Sequence, residues 1–360
     1  MKSIYVIGDG QLGRMLKQAG EPLGIKVFLI GLNSNLDFTS YKQTIITNEI
    51  EHWSNTSLIE KLYKHNSFIN NHILKYLTDR CSQKKIFDSL KLSTANWSLL
   101  KSPKQLNELF LKLGNFLIIK IRTGGYNGKG QIHISSKKKT NIPTELYGKC
   151  IVEQKIKFDS EISIIGARNK NNKTVFYPIT YNLHKNGILQ ASVAFPKQNN
   201  FLQKQAQTML KTIMDELNYI GVMTMECFVV NNKLLINEIA PRVHNSGHWT
   251  QNGASISQFE LHLRSILNLP IFSPEVNNPA VIINLIGINI NINWLSLPLI
   301  HLHWYEKKIF PNRKVGHLNL SHYKSDFFIS NLNSLINLLP KSYKKTIDWI
   351  KNKLQLYFNN

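Results

Sequence analysis

The sequence predicts an α/β chain built in three regions, and three observations carry that reading. Residues 3–33, SIYVIGDGQLGRMLKQAGEPLGIKVFLIGLN, run strand, glycine turn, helix, strand, which is a βαβ unit. From about Ser93 the pattern changes to short apolar runs separated by polar and glycine-rich turns. Beyond Pro270 the chain turns β-rich. With 360 residues there is length for two or three proper cores. The expected divisions are 1–95, 96–269 and 270–360.

The first turn, Gly8-Asp9-Gly10-Gln11-Leu12-Gly13, fits the dinucleotide pattern G-x-G-x-x-G. Nicotinamide binding also needs an acidic residue at the end of the second strand to hold a ribose hydroxyl. That strand ends in Gly31-Leu32-Asn33, without an acid, so the nicotinamide reading is set aside. The positive end of the helix remains a candidate site for some other phosphate. Helices are expected near 58–65 and 84–90, followed by a short buried strand at 116–120. Further strands are expected at 151–154 and 161–165, and helices at 203–217 and 257–267. In the first of these, Met209, Ile213, Met214 and Leu217 repeat at helical spacing and read as ordinary core. Strands then continue to about Asn319, and a short helix closes the chain at 344–357.

The densest chemistry lies between Glu226 and Thr250. Glu226 sits in VMTMECFVV and Glu238 in LLINEIA, two β-prone runs joined by Asn231-Asn232-Lys233. A three-residue loop sets Glu226 opposite Glu238, with Cβ atoms roughly 5 Å apart. Two carboxylates so close repel unless a cation lies between them, and Asn237 adds a neutral oxygen. Hard oxygen ligands suit Mg²⁺ shared with phosphates. Arg242, His244, Asn245, Ser246 and His248 then crowd around Gly247 in a segment too polar for core, which reads as an anion and substrate site.

Lys120 ends its strand and is followed by TGGYNGKGQ at 123–131. Gly124, Gly125, Gly128 and Gly130 free enough backbone to turn amides toward a triphosphate, with Lys120 and Lys129 supplying charge. The P-loop ending G-K-[ST] is absent. Glu153-Gln154-Lys155-Ile156, followed by Glu161, fits either a nucleotide-holding hinge or a solvated charge cluster. Arg80 and His184 read singly as structural or surface residues. Lys307, Arg313 and Lys314 flank a tight turn at Pro311-Asn312 and fit either a phosphate monoester or solvent.

Composition narrows the class. A formal charge of +22 invites a nucleic-acid reading, but most of it is lysine scattered among Asn and Ile, and arginine is sparse. Nucleic acid is therefore a minor option, and small anionic substrates account for the placed arginines. Cys81, Cys150 and Cys227 have no pairing or metal spacing, which points to a reducing cytoplasm. The first strand leaves no room for a signal peptide. The run 281–300 carries Asn284, Asn289, Asn291 and Asn293 and alternates like a strand (INININ), so a membrane span is rejected.

Taken in order, these features resemble the ATP-grasp enzymes throughout. Within them the chain is similar to the 5-(carboxyamino)imidazole ribonucleotide synthase family. GQLGRML at 10–16, TGGY at 123–126, APRVHNSGHWTQ at 240–251 and RKVGHLN at 313–319 are the specific matches. The resemblance implies an ATP-grasp fold with a Rossmann-like N-terminal domain and a small β-rich C-terminal domain. It implies that ATP is surrounded by Arg80, Lys120, Gly125, Tyr126, Asn127, Gly128, Lys129, Gly130, Gln131, Glu153, Gln154, Lys155, Ile156, Glu161 and His184. Glu226 and Glu238 would hold Mg²⁺, with Mn²⁺ as the alternative, and Asn237 would stand beside them. Arg242, His244 and Asn245 would grip bicarbonate, and Tyr126, Lys129, Arg242, Lys307 and Arg313 would meet aminoimidazole ribonucleotide. A homodimer is expected from the family alone.

Two departures stand out. Related flaps read YDG where this one has Tyr126-Asn127-Gly128, and the basic turn reads RPGRK where this chain has Phe310 and Asn312. Asn312 tolerates a left-handed turn. Other ATP-grasp ligases, such as formate-using transformylases or biotin carboxylases, fit the loop APRVHNSGHW less well. A degenerate nucleotide-binding protein is at odds with intact Lys120, Glu226, Glu238 and Arg242.

Overall fold

The computed structural model describes residues 2–31, 44–51, 60–62, 64–125, 130–137, 141–196 and 200–359. The N-terminal unit is a parallel sheet in the order β2-β1-β3, from β1 (Ser3–Ile7), β2 (Val27–Ile30) and β3 (Thr44–Asn48). Helix α1 (Gln11–Gly20) crosses between β1 and β2 and buries Leu12, Met15 and Leu16. Two helices follow, α2 (Asn71–Leu77) and α3 (Arg80–Ser89). Asp79 caps α3 by accepting from the Cys81 amide at 3.0 Å, which starts the helix four residues earlier than the sequence suggests. Of the helix expected at 58–65, only 60–62 and 64–65 are described, and 60–62 are helical.

A four-stranded antiparallel sheet forms the next lobe in the order β4-β7-β5-β6. Its strands are β4 (Trp97–Leu100), β5 (Phe116–Ile121), β6 (Gln131–Ser135) and β7 (Cys150–Gln154), and α4 (Leu106–Leu113) packs on it. The central sheet holds β8 (Ser160–Arg168), β9 (Thr174–Phe176), β10 (Thr180–Lys185) and β11 (Ile188–Ala194). After α5 (Asn200–Glu216) come β12 (Gly221–Val230) and β13 (Lys233–Ala240) at one edge. Helix α6 (Gln258–Ile266) follows the polar loop.

Strands β14 (Ala280–Ile286), β15 (His301–Trp304) and β16 (Lys314–Ser321) join that same sheet, because β14 pairs with β11. The region after Pro270 thus shares its sheet with strands before it. Gly287 turns the chain at φ +62, and 287–291 form no strand, contrary to the alternation of INININ. Ile292 starts a short 3₁₀ turn and is 73% exposed. Helix α7 (Ser325–Leu338), absent from the sequence reading, precedes α8 (Lys344–Phe358). Its Asn- and Ser-rich composition hides Phe328, Leu332 and Leu335, which it buries. No described helix is long and apolar enough to cross a membrane.

Period-two alternation divides the central sheet into an apolar face and a polar one. Met223, Met225 and Cys227 of β12, with Ile162 and Ile164 of β8, pack against Met209, Ile213 and Met214 of α5. That assigns the methionine stripe to core, as its spacing suggests. The side chains between them, Glu226 and Ser163 included, face the opposite way.

Candidate active site

The hairpin sets the centre of the site. Its turn is two residues, Asn231-Asn232, both left-handed at φ 49 and φ 60, as a type I′ turn requires. A regular hairpin on that turn would put Glu226 opposite Asn237 and send Glu238 to the apolar face. The register shifts at Glu226/Cys227: Cys227 pairs with Ile236, Glu226 with Glu238, and Asn237 is the extra residue. The bulge therefore delivers the carboxylate pairing that the sequence suggested through a longer loop. On the other side Glu226 pairs with Ser163, so Glu238, Glu226 and Ser163 form a row across three strands.

Burial pushes the Glu226 carboxyl up to about 7, with the His184 and Lys314 charges pulling it down and Glu238 and Glu161 pushing it further up. Two carboxylates on one face, one of them short of counter-charge, fit a divalent cation. Among the described residues no cluster of three or more His, Cys, Asp or Glu stands ready as a metal cage.

Basic residues converge on this pair from the other lobe. Lys120 on β5 reaches Asn237 Oδ1 at 3.0 Å and the Glu153 carboxylate at 2.6 Å. Arg80, at the start of α3, bonds Glu238 at 3.1 Å and the Gly125 carbonyl at 3.3 Å. Gln131 pairs with Lys120 across β5 and β6. Gly130 sits at φ +75, where a Cβ would lie 2.3 Å from Ile121. Tyr126, Asn127, Gly128 and Lys129 lie outside the described residues.

Glu153 does not present its carboxylate to an open cleft. It is 3% exposed, and both oxygens are taken by lysines, Lys120 and Lys84. Burial pushes its carboxyl up, but the two ammonium groups overcome this and hold it at about 2. Gln154 accepts from Asn96 at 3.2 Å, the Lys155 amide bonds the Phe116 carbonyl, and Ile156 follows half-buried. Beyond this hinge Glu161 bonds His184 Nδ1 at 2.7 Å. Burial pulls the His184 imidazole down, but the Glu161 hydrogen bond and the Glu226 and Glu161 charges leave it raised.

The polar loop supplies the third side. Ser163 bonds Ser246 at 2.8 Å, and Ser246 bonds His244 Nδ1 at 2.9 Å, while the Ser246 amide also donates to that nitrogen at 3.3 Å. Nδ1 thus accepts, and the ring proton sits on Nε2, 3.7 Å from Glu226. Burial, with the nearby Arg242 charge, holds His244 well below its ordinary range and therefore neutral. Gln258 secures the loop by bonding both the amide and the carbonyl of His244. Both amide atoms of Asn245 are buried without a hydrogen-bond partner. Arg242 pairs with Glu51 at 2.8 Å, not with Glu226.

The glycine turn departs from expectation. Gly10 and Gly13 donate to the Glu49 carboxylate at 2.5 and 2.8 Å, so the chain's own anion fills the α1 N-terminus kept open for a phosphate. Lys307 reaches the same turn and donates to Gln11. Arg313 lies over the Phe310 ring at 5.6 Å, and Asn312 is left-handed at φ 64. Burial, eased by Glu226, lowers Lys314 to about 8.

Sequence reasoning missed Glu49, Glu51, Lys84 and Gln258. Lys84 carried a usable signal: with Cys81 and Phe87 it repeats every third residue on the buried stripe of α3, where a lone charge needs a partner.

The ATP-grasp domain family matches residues 85–259, and the phosphoribosylaminoimidazole carboxylase C-terminal domain family matches 280–326. The N5-carboxyaminoimidazole ribonucleotide synthase of Escherichia coli (strain K12) is 53% identical over 353 residues, 98% of this chain and 99% of that protein. The crystal structure of the Thermus thermophilus synthetase superposes at TM-score 0.82 with 32% identity, covering 93% of this chain and 98% of that one. The Staphylococcus aureus synthetase complexed with ADP gives TM-score 0.81 at 27% identity, covering 92% and 96%. With a relative this similar along its whole length, the chain belongs to the N5-carboxyaminoimidazole ribonucleotide synthase family of ATP-grasp enzymes.

Proposed function

We propose that this chain carboxylates 5-aminoimidazole ribonucleotide with bicarbonate at the expense of ATP, yielding the N5-carboxy product, ADP and phosphate in purine biosynthesis. The observation that carries it is the Glu226–Glu238 pair, faced by Lys120 and Arg80 from one side and by the Arg242–Asn245 loop from the other. A triphosphate laid between the lobes meets Lys120 and the glycine segment, with the 153–156 hinge, Glu161 and His184 holding the nucleoside end. Mg²⁺ or Mn²⁺ bound at the two glutamates supplies charge neutralisation for the phosphates.

Bicarbonate sits against Arg242, whose planar fork matches its oxygens, and against the unpartnered Asn245 amide. Neutral His244 donates from Nε2 and keeps the anion oriented for in-line attack on the γ-phosphorus. ADP leaves and carboxyphosphate remains. Its C–O bond then breaks to give phosphate and CO₂, and the ribonucleotide amine adds to the CO₂ carbon and loses a proton. Lys307 and Arg313, with Tyr126 and Lys129 of the flap, place that amine. Asn127 in place of a carboxylate leaves that proton to another acceptor. We assign 1–95 to the N-terminal unit, 96–269 to the ATP-grasp domain and 270–360 to the C-terminal part, and expect a cytoplasmic homodimer.

Phosphate release from ATP, measured with and without bicarbonate and the ribonucleotide, tests the proposal. Release that needs bicarbonate, with the ribonucleotide carboxylated in step with it, supports it. Release indifferent to bicarbonate, or none at all, refutes it.

A further inference from the structure

Lys84 is 2% exposed on α3, and its ammonium has two partners outside that helix. It lies 2.7 Å from Glu153 Oε1 on β7 and donates to Thr94 Oγ1 at 2.6 Å. Thr94 in turn donates to the Ile236 carbonyl on β13 at 2.6 Å. The other oxygen of Glu153 holds Lys120 at 2.6 Å, and Lys120 reaches Asn237, next to Ile236, at 3.0 Å. The chain of contacts closes on itself: Ile236, Thr94, Lys84, Glu153, Lys120, Asn237.

The charges do not cancel in this ring. Two ammonium groups share one carboxylate, so one net positive charge remains. Lys84 is enclosed by protein on all sides, whereas Lys120 touches the edge of the cleft through Asn237. If Glu153 served Lys120 alone, the pair would be neutral and Lys120 would be drawn toward β7.

We propose that Lys84 is a positioning residue: by taking half of Glu153, it leaves Lys120 a net positive charge and a fixed direction for binding the triphosphate. The inference rests on the ATP-dependent reading above. It assigns Lys84 no contact with substrate, and the side chain of Glu153 becomes a charge divider.

The test is calorimetric binding of a non-hydrolysable ATP analogue with Mg²⁺ to wild type, to Lys84→Met and to Lys84→Met/Glu153→Gln, with thermal unfolding of each. Lys84→Met is expected to weaken binding roughly tenfold or more. The double variant restores a single cation at Lys120 and is expected to regain at least about threefold of the loss. A scaffold role moves both variants alike, so a double variant as weak as the single, or a single that binds like wild type, overturns the inference. If Lys84→Met does not fold, the double variant, which removes the buried opposite charges together, carries the test. Binding within about tenfold of wild type then supports the inference, and a larger loss overturns it. Wild type that binds no analogue refutes the ATP reading itself, whereas wild type that binds alongside indifferent variants refutes only the role of Lys84.

Discussion

Glu226 stands directly across from Glu238 because Asn237 is squeezed out of the ladder between them. The same bulge lets Leu234, Ile236 and Ile239 all reach the core beneath α5, although the spacing from 236 to 239 breaks the two-residue period. One extra residue therefore serves both faces of the sheet. It aligns two carboxylates on the polar side and leaves the amide of Asn237 to Lys120.

Glu238→Gln is expected to abolish turnover while the fold survives, since it keeps the shape and removes one negative charge from the pair. The hydrogen bond from Arg80 at 3.1 Å can persist to the amide oxygen. Mg²⁺ titration of nucleotide binding, beside thermal unfolding, checks this. An active variant would exclude Glu238 as a metal ligand.

Arg242→Lys is expected to bind ATP normally and to lose roughly 10²–10³-fold in bicarbonate-dependent turnover, the scale of one lost transition-state donor. Its pairing with Glu51 offers the contrasting outcome. If Arg242 only anchors the loop to Glu51, the lysine variant loses thermal stability and keeps its bicarbonate dependence.

Glu153 sets a pH dependence of stability whose sign follows from its lowered carboxyl. Held at about 2 against an ordinary 4.5, it contributes stability that is fully present above about 4.5 and is lost as pH falls toward 2. Glu153→Gln should therefore be destabilised at pH 7 and approach wild type only near pH 2 and below, where the wild-type carboxyl takes up its proton. Urea unfolding at the two pH values decides it. A gap that stays constant would show that the lysines do not set the Glu153 carboxyl.

Gly8→Ala is expected to cost about 1–3 kcal/mol of stability. Gly8 sits at φ +116, and a Cβ there would lie 2.3 Å from Glu49 Cγ. Chemical denaturation measures the loss. An alanine variant as stable as wild type would mean that Glu49 does not hold the glycine turn as described.

Local patterns made much of this molecule legible in the sequence. Helical spacing gave α5, apolar β-prone runs gave β12 and β13, and the density of Arg242, His244 and Asn245 marked the loop. What stayed hidden depended on long-range partners. Glu49 meets Gly10 across 39 residues, and Lys84 meets Glu153 across two lobes. Glu49 leaves no local trace, and the place of Lys84 on the buried stripe of α3 calls for a partner without naming it. Sheet continuity from β11 to β14 is likewise a tertiary choice, since nothing in either strand names its neighbour.

The central claim is that bicarbonate carbon ends on the ribonucleotide amine while ATP is split to ADP and phosphate. Carbon-13 NMR of a reaction with labelled bicarbonate, ATP, Mg²⁺ and 5-aminoimidazole ribonucleotide reads this directly. A carbamate resonance that grows in step with phosphate is the expected result. Phosphate released with no label on the amine, or a labelled carbamate formed equally fast without the protein, would contradict it.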